Sequence, residues 1–239
     1  MLAHRGLALE APENTLLAFA KAAAIGATHL ETDVHGSADG VAMVSHDPDL
    51  RRVADRDVRV EQLTSHELRR VQLGEGQGFC SLVEALDAFP DVRFNIDVKA
   101  SSAIVGTVEA IRAANAIGRV LIGSFDGTRR LAVVRQLPGV ATSISGRGAA
   151  AAVVGARTGR TEVVRRVLRD VDAVQLPTRA LGGAVFTART VPAFHAAGVE
   201  VHAWTVNDPA EMTRLLDLGV DGLVTDRADL AIPLVNARN

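Results

Sequence analysis

A chain of 239 residues and 25.1 kDa, 48% hydrophobic and 23% charged, has ample material for a core and none of the bias of a disordered segment. Its formal net charge of -2 and pI near 6.4 argue against a dedicated nucleic-acid binder, and no run of about 18 apolar residues offers a membrane span. Its one cysteine, Cys80, rules out an internal disulfide and argues against a cysteine-based zinc centre, so a soluble, cytoplasmic protein without stable membrane insertion is expected.

Strand-like and helix-like segments then alternate along the chain. A first strand is expected at Leu2–His4, an amphipathic helix over Thr15–Ile25 and a second strand at His29–Val34. Residues 35–80 break the rhythm with an extra short strand, Val41–Ser45, and a polar, arginine-rich stretch before the helix Leu82–Phe89. Strand Val92–Val98, helix Ser102–Ala114, strand Val120–Ser124, helix Gly127–Gln136 and strand Val140–Ile144 follow. The run SGRGAAAAVVGARTGR at 145–160 is small and glycine-rich, and a loop with a short helix is expected there. Helix Thr161–Arg169, strand Ala173–Leu176, helix Ala188–Ala197, strand Val199–Trp204, helix Ala210–Leu218, strand Gly222–Thr225 and helix Ala228–Val235 complete the series. Gly198 and Gly219 fall where helices hand over to strands, and Asp208-Pro209 opens a helix with an N-cap and a first-turn proline. Eight strands, each followed by a helix, predict an α/β fold, a (β/α)8 TIM barrel. It is expected to be a single domain over 1–239, with the insertion of about 35–80 between strand 2 and helix 2.

In such a barrel the loops after the strands build the active site. Glu31 and Asp33 are two apart on a strand, so both carboxylates face one side. They form either an acidic rim of ordinary salt bridges or the oxygen ligands of a divalent cation such as Mg²⁺, Ca²⁺ or Mn²⁺. On the third strand Asn95, Asp97 and Lys99 alternate with Phe94, Ile96 and Val98, which turns the polar set inward. Asp97 and Lys99 read as a buried ion pair, or as a third metal ligand beside a fixed positive charge for an anion. Of 26 basic residues only Lys21 and Lys99 are lysine. His46 ends the extra strand, and Ser124 and Gln175 end later ones, either as ordinary termini or as substrate contacts. Trp204, the only tryptophan, ends the seventh strand, where it packs in the core or stacks on a substrate. Asp226 reads as a structural cap of the last helix.

The motifs AHRG (3–6), PENT (12–15), ETDV (31–34), HD (46–47), FNIDVK (94–99), SF (124–125), AWTVN (203–207) and DGLVTD (221–226), in that order, resemble the glycerophosphodiester phosphodiesterases. These barrels cleave deacylated phospholipids into glycerol 3-phosphate and an alcohol. The resemblance implies that His4 and His46 form an acid–base pair, a task for which imidazole has a suitable pKa. It implies that Arg5 clamps the phosphate, Lys99 supports it and Trp204 lies near the glycerol or the leaving group. Glu31, Asp33 and Asp97 fall at metal-ligand positions for a divalent cation, Mg²⁺ or Ca²⁺ with Mn²⁺ a third option. The partner implied is a small-molecule phosphodiester. Glu13 and Asn14 look mainly architectural. One departure stands out: the family commonly carries Glu where this chain has Asp97, a carboxylate withdrawn by roughly 1.5 Å.

The nearer alternative is a lysophospholipase D or sphingomyelinase D-like enzyme acting on a lipid with the same histidines. Such an activity needs an apolar channel, and the 35–80 insertion is polar and poor in aromatics, so the sequence points away from it. The arginines of that insertion, Arg51, Arg52, Arg56 and Arg59, read as a solvated loop or as a positive rim attracting anionic diesters. A non-catalytic phosphodiester-binding barrel is disfavoured because every other chemical position is filled. An amidohydrolase-type barrel would need His-x-His on the first strand, where the chain has His4-Arg5-Gly6.

Overall fold

The structure, a computed structural model, describes residues 1–238. Eight strands build its main sheet: β1 (Leu2–His4), β2 (His29–Gly36), β3 (Arg93–Val98), β4 (Val120–Gly123), β5 (Ala141–Thr142), β6 (Ala173–Pro177), β7 (Glu200–Trp204) and β8 (Gly222–Thr225). Their spatial order is β5-β4-β3-β2-β1-β8-β7-β6, and every neighbouring pair is parallel. The two ends come together at a single parallel bridge between Ser143 and Ala173, so the sheet is an almost closed barrel with one thin seam. The expected (β/α)8 architecture is what the chain adopts.

The alternation in FNIDV explains why the barrel forms. Phe94, Ile96 and Val98 point outward and are buried, with Leu30, Val34 and Ile122, against the surrounding helices. Each such side chain contributes about 1.5–3 kcal/mol by leaving water. Phe19, from the helix Leu16–Ala24, packs edge-to-face on Phe94 at 5.9 Å and on Phe89 at 6.2 Å. A second cluster around Leu176, Val201, Phe194 and Met212 does the same for β6 to β8. The inward positions are left to polar side chains, and the register sets them level. His4 pairs with Glu31 and Glu31 with Asn95, while one step higher Asp33 pairs with Asp97 and Asp97 with Gly123.

The insertion has its own small core of Met43, Leu50, Val60, Leu68, Val71 and Phe79. It is tied to the barrel by the strand Ala42–Val44, antiparallel to β2. Three of its four arginines named above are paired, Arg51 with Asp57, Arg59 with Glu61, and Arg52 with both Glu13 and Asp47, while Arg56 is exposed.

The largest departure from the sequence reading lies at 145–160. Gly146–Thr158 is a continuous 13-residue helix ended by Gly159 at φ +72°, rather than a loop with a short helix. Four consecutive alanines have the highest helix propensity, which outweighs the interior glycines. Gly155 sits where the next helix, Thr161–Leu168, crosses: a Cβ there would lie 3.1 Å from Val164.

Candidate active site

The site begins at a tight turn directly after β1. Arg5 has φ +54° and Gly6 φ +84°, and a Cβ on Gly6 would meet the Ala18 carbonyl carbon at 2.6 Å. Only glycine satisfies both demands. The turn holds His4 at the strand end and folds Arg5 back over β2, where its backbone N–H donates to the Glu31 carbonyl (3.0 Å) and lies 3.2 Å from Glu31 Oε2. The Arg5 guanidinium donates to Glu13 Oε1 at 2.9 Å, and its Nε sits 3.2 Å from Asp33 Oδ2 without hydrogen-bond alignment. Asn14, at φ +56°, donates to the same Asp33 oxygen (3.2 Å) and accepts from Thr32 Oγ1 (2.9 Å). Glu13 and Asn14 therefore reach into the polar centre, beyond the architectural part expected of them.

Each of the two histidines rests on a carboxylate through Nδ1. His4 Nδ1 is 2.6 Å from Asp226 Oδ1, and Asp226 Oδ2 accepts from Asn207 Nδ2 at 2.7 Å. Asn207 in turn accepts from the Asp226 backbone N–H and from Thr225 Oγ1. This corrects the reading of Asp226 as a helix cap: the cap position of Ala228–Asn236 is Arg227, which makes no side-chain capping bond. The hydrogen bond from His4, foremost, holds the Asp226 carboxyl below its usual range. His46 Nδ1 is 2.7 Å from Asp47 Oδ1, and Arg52 links Asp47 to Glu13. Burial works against the Asp47 charge, yet the hydrogen bonds from His46 and Arg52 keep its pKa low. With Nδ1 occupied by a carboxylate, Nε2 is the nitrogen left for proton exchange in both rings.

Between these pairs lies the carboxylate cluster. Lys99 Nζ bridges Asp33 Oδ1 (2.8 Å) and Asp97 Oδ2 (2.7 Å). Burial opposes its charge, but the two aspartates more than offset this and leave the Lys99 pKa raised. Glu31 is buried, and that burial, with the charges of Asp33 and Asp97, pushes its pKa well above the ordinary value. Asp97 Oδ1 and Asn95 Oδ1 are buried without any hydrogen-bond partner. Hard oxygen donors, an orphaned carboxylate oxygen and an under-compensated negative charge all suit a divalent cation. Among the described residues no three His, Cys, Asp or Glu side chains are drawn together as tightly as a bound ion requires, and Lys99 occupies part of the space between the aspartates.

All eight residues singled out in the sequence, His4, Arg5, Glu31, Asp33, His46, Asp97, Lys99 and Trp204, line one cavity of about 530 Å³. Trp204 stands at its edge, edge-to-face with Phe125 at 5.9 Å. Ser124 and Gln175 also line it, Ser124 donating to the Val98 carbonyl and Gln175 lying beside His202. Sequence reasoning missed Asp47, Arg52, Asn207 and Asp226 as supports. Asp47, Asn207 and Asp226 carried a signal as members of the motifs HD, AWTVN and DGLVTD, whereas Arg52 carried none.

The model of the glycerophosphoryl diester phosphodiesterase family matches residues 4–230. A Mycobacterium tuberculosis protein named probable glycerophosphodiester phosphodiesterase 2 is 45% identical over 239 residues, covering 99% of this chain and 90% of that protein. The crystal structure of a glycerophosphodiester phosphodiesterase from Thermotoga maritima is 28% identical with a TM-score of 0.75, over 98% of this chain and 96% of that one. An Oleispira antarctica phosphodiesterase, solved with its product sn-glycerol-3-phosphate, shares the fold at a TM-score of 0.79 and 24% identity, over 98% and 96% of the two chains. Fold, site and matches together define a barrel enzyme of the phosphodiesterase class. The chain belongs to the glycerophosphoryl diester phosphodiesterase family.

Proposed function

We propose that the enzyme hydrolyses glycerophosphodiesters, such as glycerophosphocholine or glycerophosphoethanolamine, to sn-glycerol 3-phosphate and the free alcohol. The reaction depends on a divalent cation and uses His4 and His46 as the acid–base pair. The observation that carries this reading is the convergence of two carboxylate-backed imidazoles, a guanidinium and an ammonium on one cavity. One imidazole takes the proton of the attacking oxygen at Nε2, and the other donates its Nε2 proton to the departing alkoxide. Arg5 offers a planar fork to the phosphate oxygens, Lys99 supplies a second fixed positive charge, and Trp204 shields the substrate from water. Glu31, Asp33 and Asp97 would hold Mg²⁺ or Ca²⁺, or Mn²⁺, which when bound neutralises charge on the phosphoryl group.

The product bound to the Oleispira phosphodiesterase supports the assignment of product. Residues 1–239 act as a single catalytic domain, and the low cysteine content supports a reducing, cytoplasmic setting. The test is release of sn-glycerol 3-phosphate from glycerophosphocholine and glycerophosphoethanolamine with Mg²⁺, Ca²⁺ or Mn²⁺, and with EDTA. Cation-dependent release is expected. Tight diester binding with no product under any cation would instead make this a binding barrel.

A further inference from the structure

The cavity has two unlike halves. The strands β1 to β3 and the loops after them supply its charged groups, whereas the side formed by β4 to β7 carries only uncharged side chains. Two polar atoms of that side, Ser143 Oγ and Gln175 Oε1, have no hydrogen-bond partner among the described residues, although Ser143 is only 2% exposed. A Cβ on Gly123 would stand 3.4 Å from Ser143 Oγ and 3.6 Å from Gln175 Oε1, so the absent side chain leaves a niche between a hydroxyl and an amide oxygen. Gly123 is the register partner of Asp97, which sets the niche beside the carboxylate cluster.

A relay from the N-terminal end of the barrel turns the Gln175 oxygen into that niche. Gln175 pairs in register with His202, and His202 with Gly222. A Cβ on Gly222 would lie 2.5 Å from His202 Cδ2, so glycine there makes room for a buried imidazole inside the barrel. His202 Nε2 is 3.0 Å from Glu200 Oε2, and its Nδ1 is 3.2 Å from Gln175 Nε2. An amide nitrogen only donates, so His202 Nδ1 accepts, and Nε2 carries the proton that it donates to Glu200. This hydrogen bond, foremost, holds the Glu200 carboxyl below its usual range and so keeps it an acceptor. The tautomer is opposite to that of His4 and His46, whose Nδ1 atoms face carboxylates. With the amide nitrogen committed to the ring, the oxygen is left facing Gly123.

We infer that the niche takes one hydroxyl of the substrate, which donates to Gln175 Oε1 and accepts from Ser143 Oγ, and that His202 and Glu200 are positioning residues for the amide. This rests on the phosphodiesterase reading and adds a selection within it, for a diester arm bearing a hydroxyl over the same arm without one. An ammonium group only donates and would satisfy half of the niche; an alkyl group satisfies none of it. The hydroxyl belongs either to the glycerol arm or to a polyol leaving alcohol, and the substrates below separate the two.

Two measurements test this. The first compares glycerophosphocholine with propylphosphocholine, which lacks the glycerol hydroxyls, and glycerophosphoglycerol with the propyl ester of glycerol 3-phosphate, which lacks those of the alcohol. Ratios are read as kcat/KM and, independently of turnover, as Kd by calorimetry. Loss of the hydroxyl leaves two polar groups unpaired, so the wild type is expected to favour the hydroxyl-bearing member of one pair by at least about tenfold. G123A, whose methyl group fits at ordinary contact distances, and Q175L should abolish that preference, whereas Q175E, which keeps an oxygen facing the niche, should retain it. The second records imidazole nitrogen-15 spectra, in which His202 is expected to be protonated at Nε2 alone. E200A, at an exposed position, should admit the Nδ1–H form and lower the preference about threefold. A His202 protonated at Nδ1 in the wild type, or an E200A variant with tautomer and preference unchanged, overturns the relay. Turnover with a preference that G123A and Q175L leave intact, or variants that lower both members of a pair equally, overturns the subsite and leaves the phosphodiesterase reading standing. The expected Kd ratios without turnover of any diester uphold the subsite and overturn that reading.

Discussion

The two halves of the cavity are built by opposite means. On the β1–β3 side each functional group is held by another charged or polar side chain: Arg5 by Glu13, Lys99 by two aspartates, His4 by Asp226 and His46 by Asp47. On the β4–β7 side the wall is made mainly of small and apolar side chains on the helix Gly146–Thr158 and on the hairpin of Arg179–Ala180 with Gly183–Ala184, and Ser124, Ser143 and Gln175 are its uncharged polar members. The charged half fixes geometry, because each buried charge is stable only with its partner in place. The apolar half presents no charged side chain to what enters the cavity. Changes in the first half should therefore move kcat, and changes in the second should move selectivity.

The sharpest way to break this division is H4A or H46A. Loss of an acid–base group should lower kcat by roughly 10²–10⁴-fold for every diester, with an unchanged circular-dichroism spectrum. A loss confined to one substrate would place the histidine in selectivity and not in chemistry. D226N comes next. It removes the negative charge beside His4 Nδ1 but keeps the shape, and kcat should fall about 10–100-fold with KM little changed, D226E recovering part of the loss. Equal losses in Tm and kcat would reduce Asp226 to a structural group.

The (β/α)8 order, its eight strands and eight of the residues that line the cavity are legible in the sequence, because strand alternation and the motifs are local signals. The helix at 146–158 is not, since a run of alanine and glycine has no apolar periodicity to read. Asp226 is hidden for another reason: its partner His4 lies 222 residues away, and only barrel closure makes them neighbours. Arg52 likewise reads as solvated loop until the insertion folds it between Asp47 and Glu13.

Smaller effects probe stability. The Glu31 carboxyl is pushed up by burial and by its two acidic neighbours, so E31Q should raise Tm by roughly 2–4 °C in EDTA. Added Mg²⁺ or Ca²⁺ should raise the Tm of wild type and not of this variant; a cation shift of equal size in both would place the ion elsewhere. The smallest effect is expected at the opposite, N-terminal end of the barrel. Burial above all, then the amino terminus, Arg93 and His202, lowers the His29 pKa to about 4, against a raising effect of Glu200. The unfolded chain then binds the extra proton between about pH 6.5 and 4, so stability falls as pH drops through that window and is fully present above it. H29N should flatten this part of the Tm–pH curve, and an unaltered slope would assign it to other groups.

The most direct test is the initial rate of sn-glycerol 3-phosphate release from glycerophosphocholine, with each of Mg²⁺, Ca²⁺ and Mn²⁺ and with EDTA, for wild type and H46A. The expected result is release that requires a cation and collapses in the variant. Absence of release under every cation, or release that H46A leaves unchanged, would contradict the account.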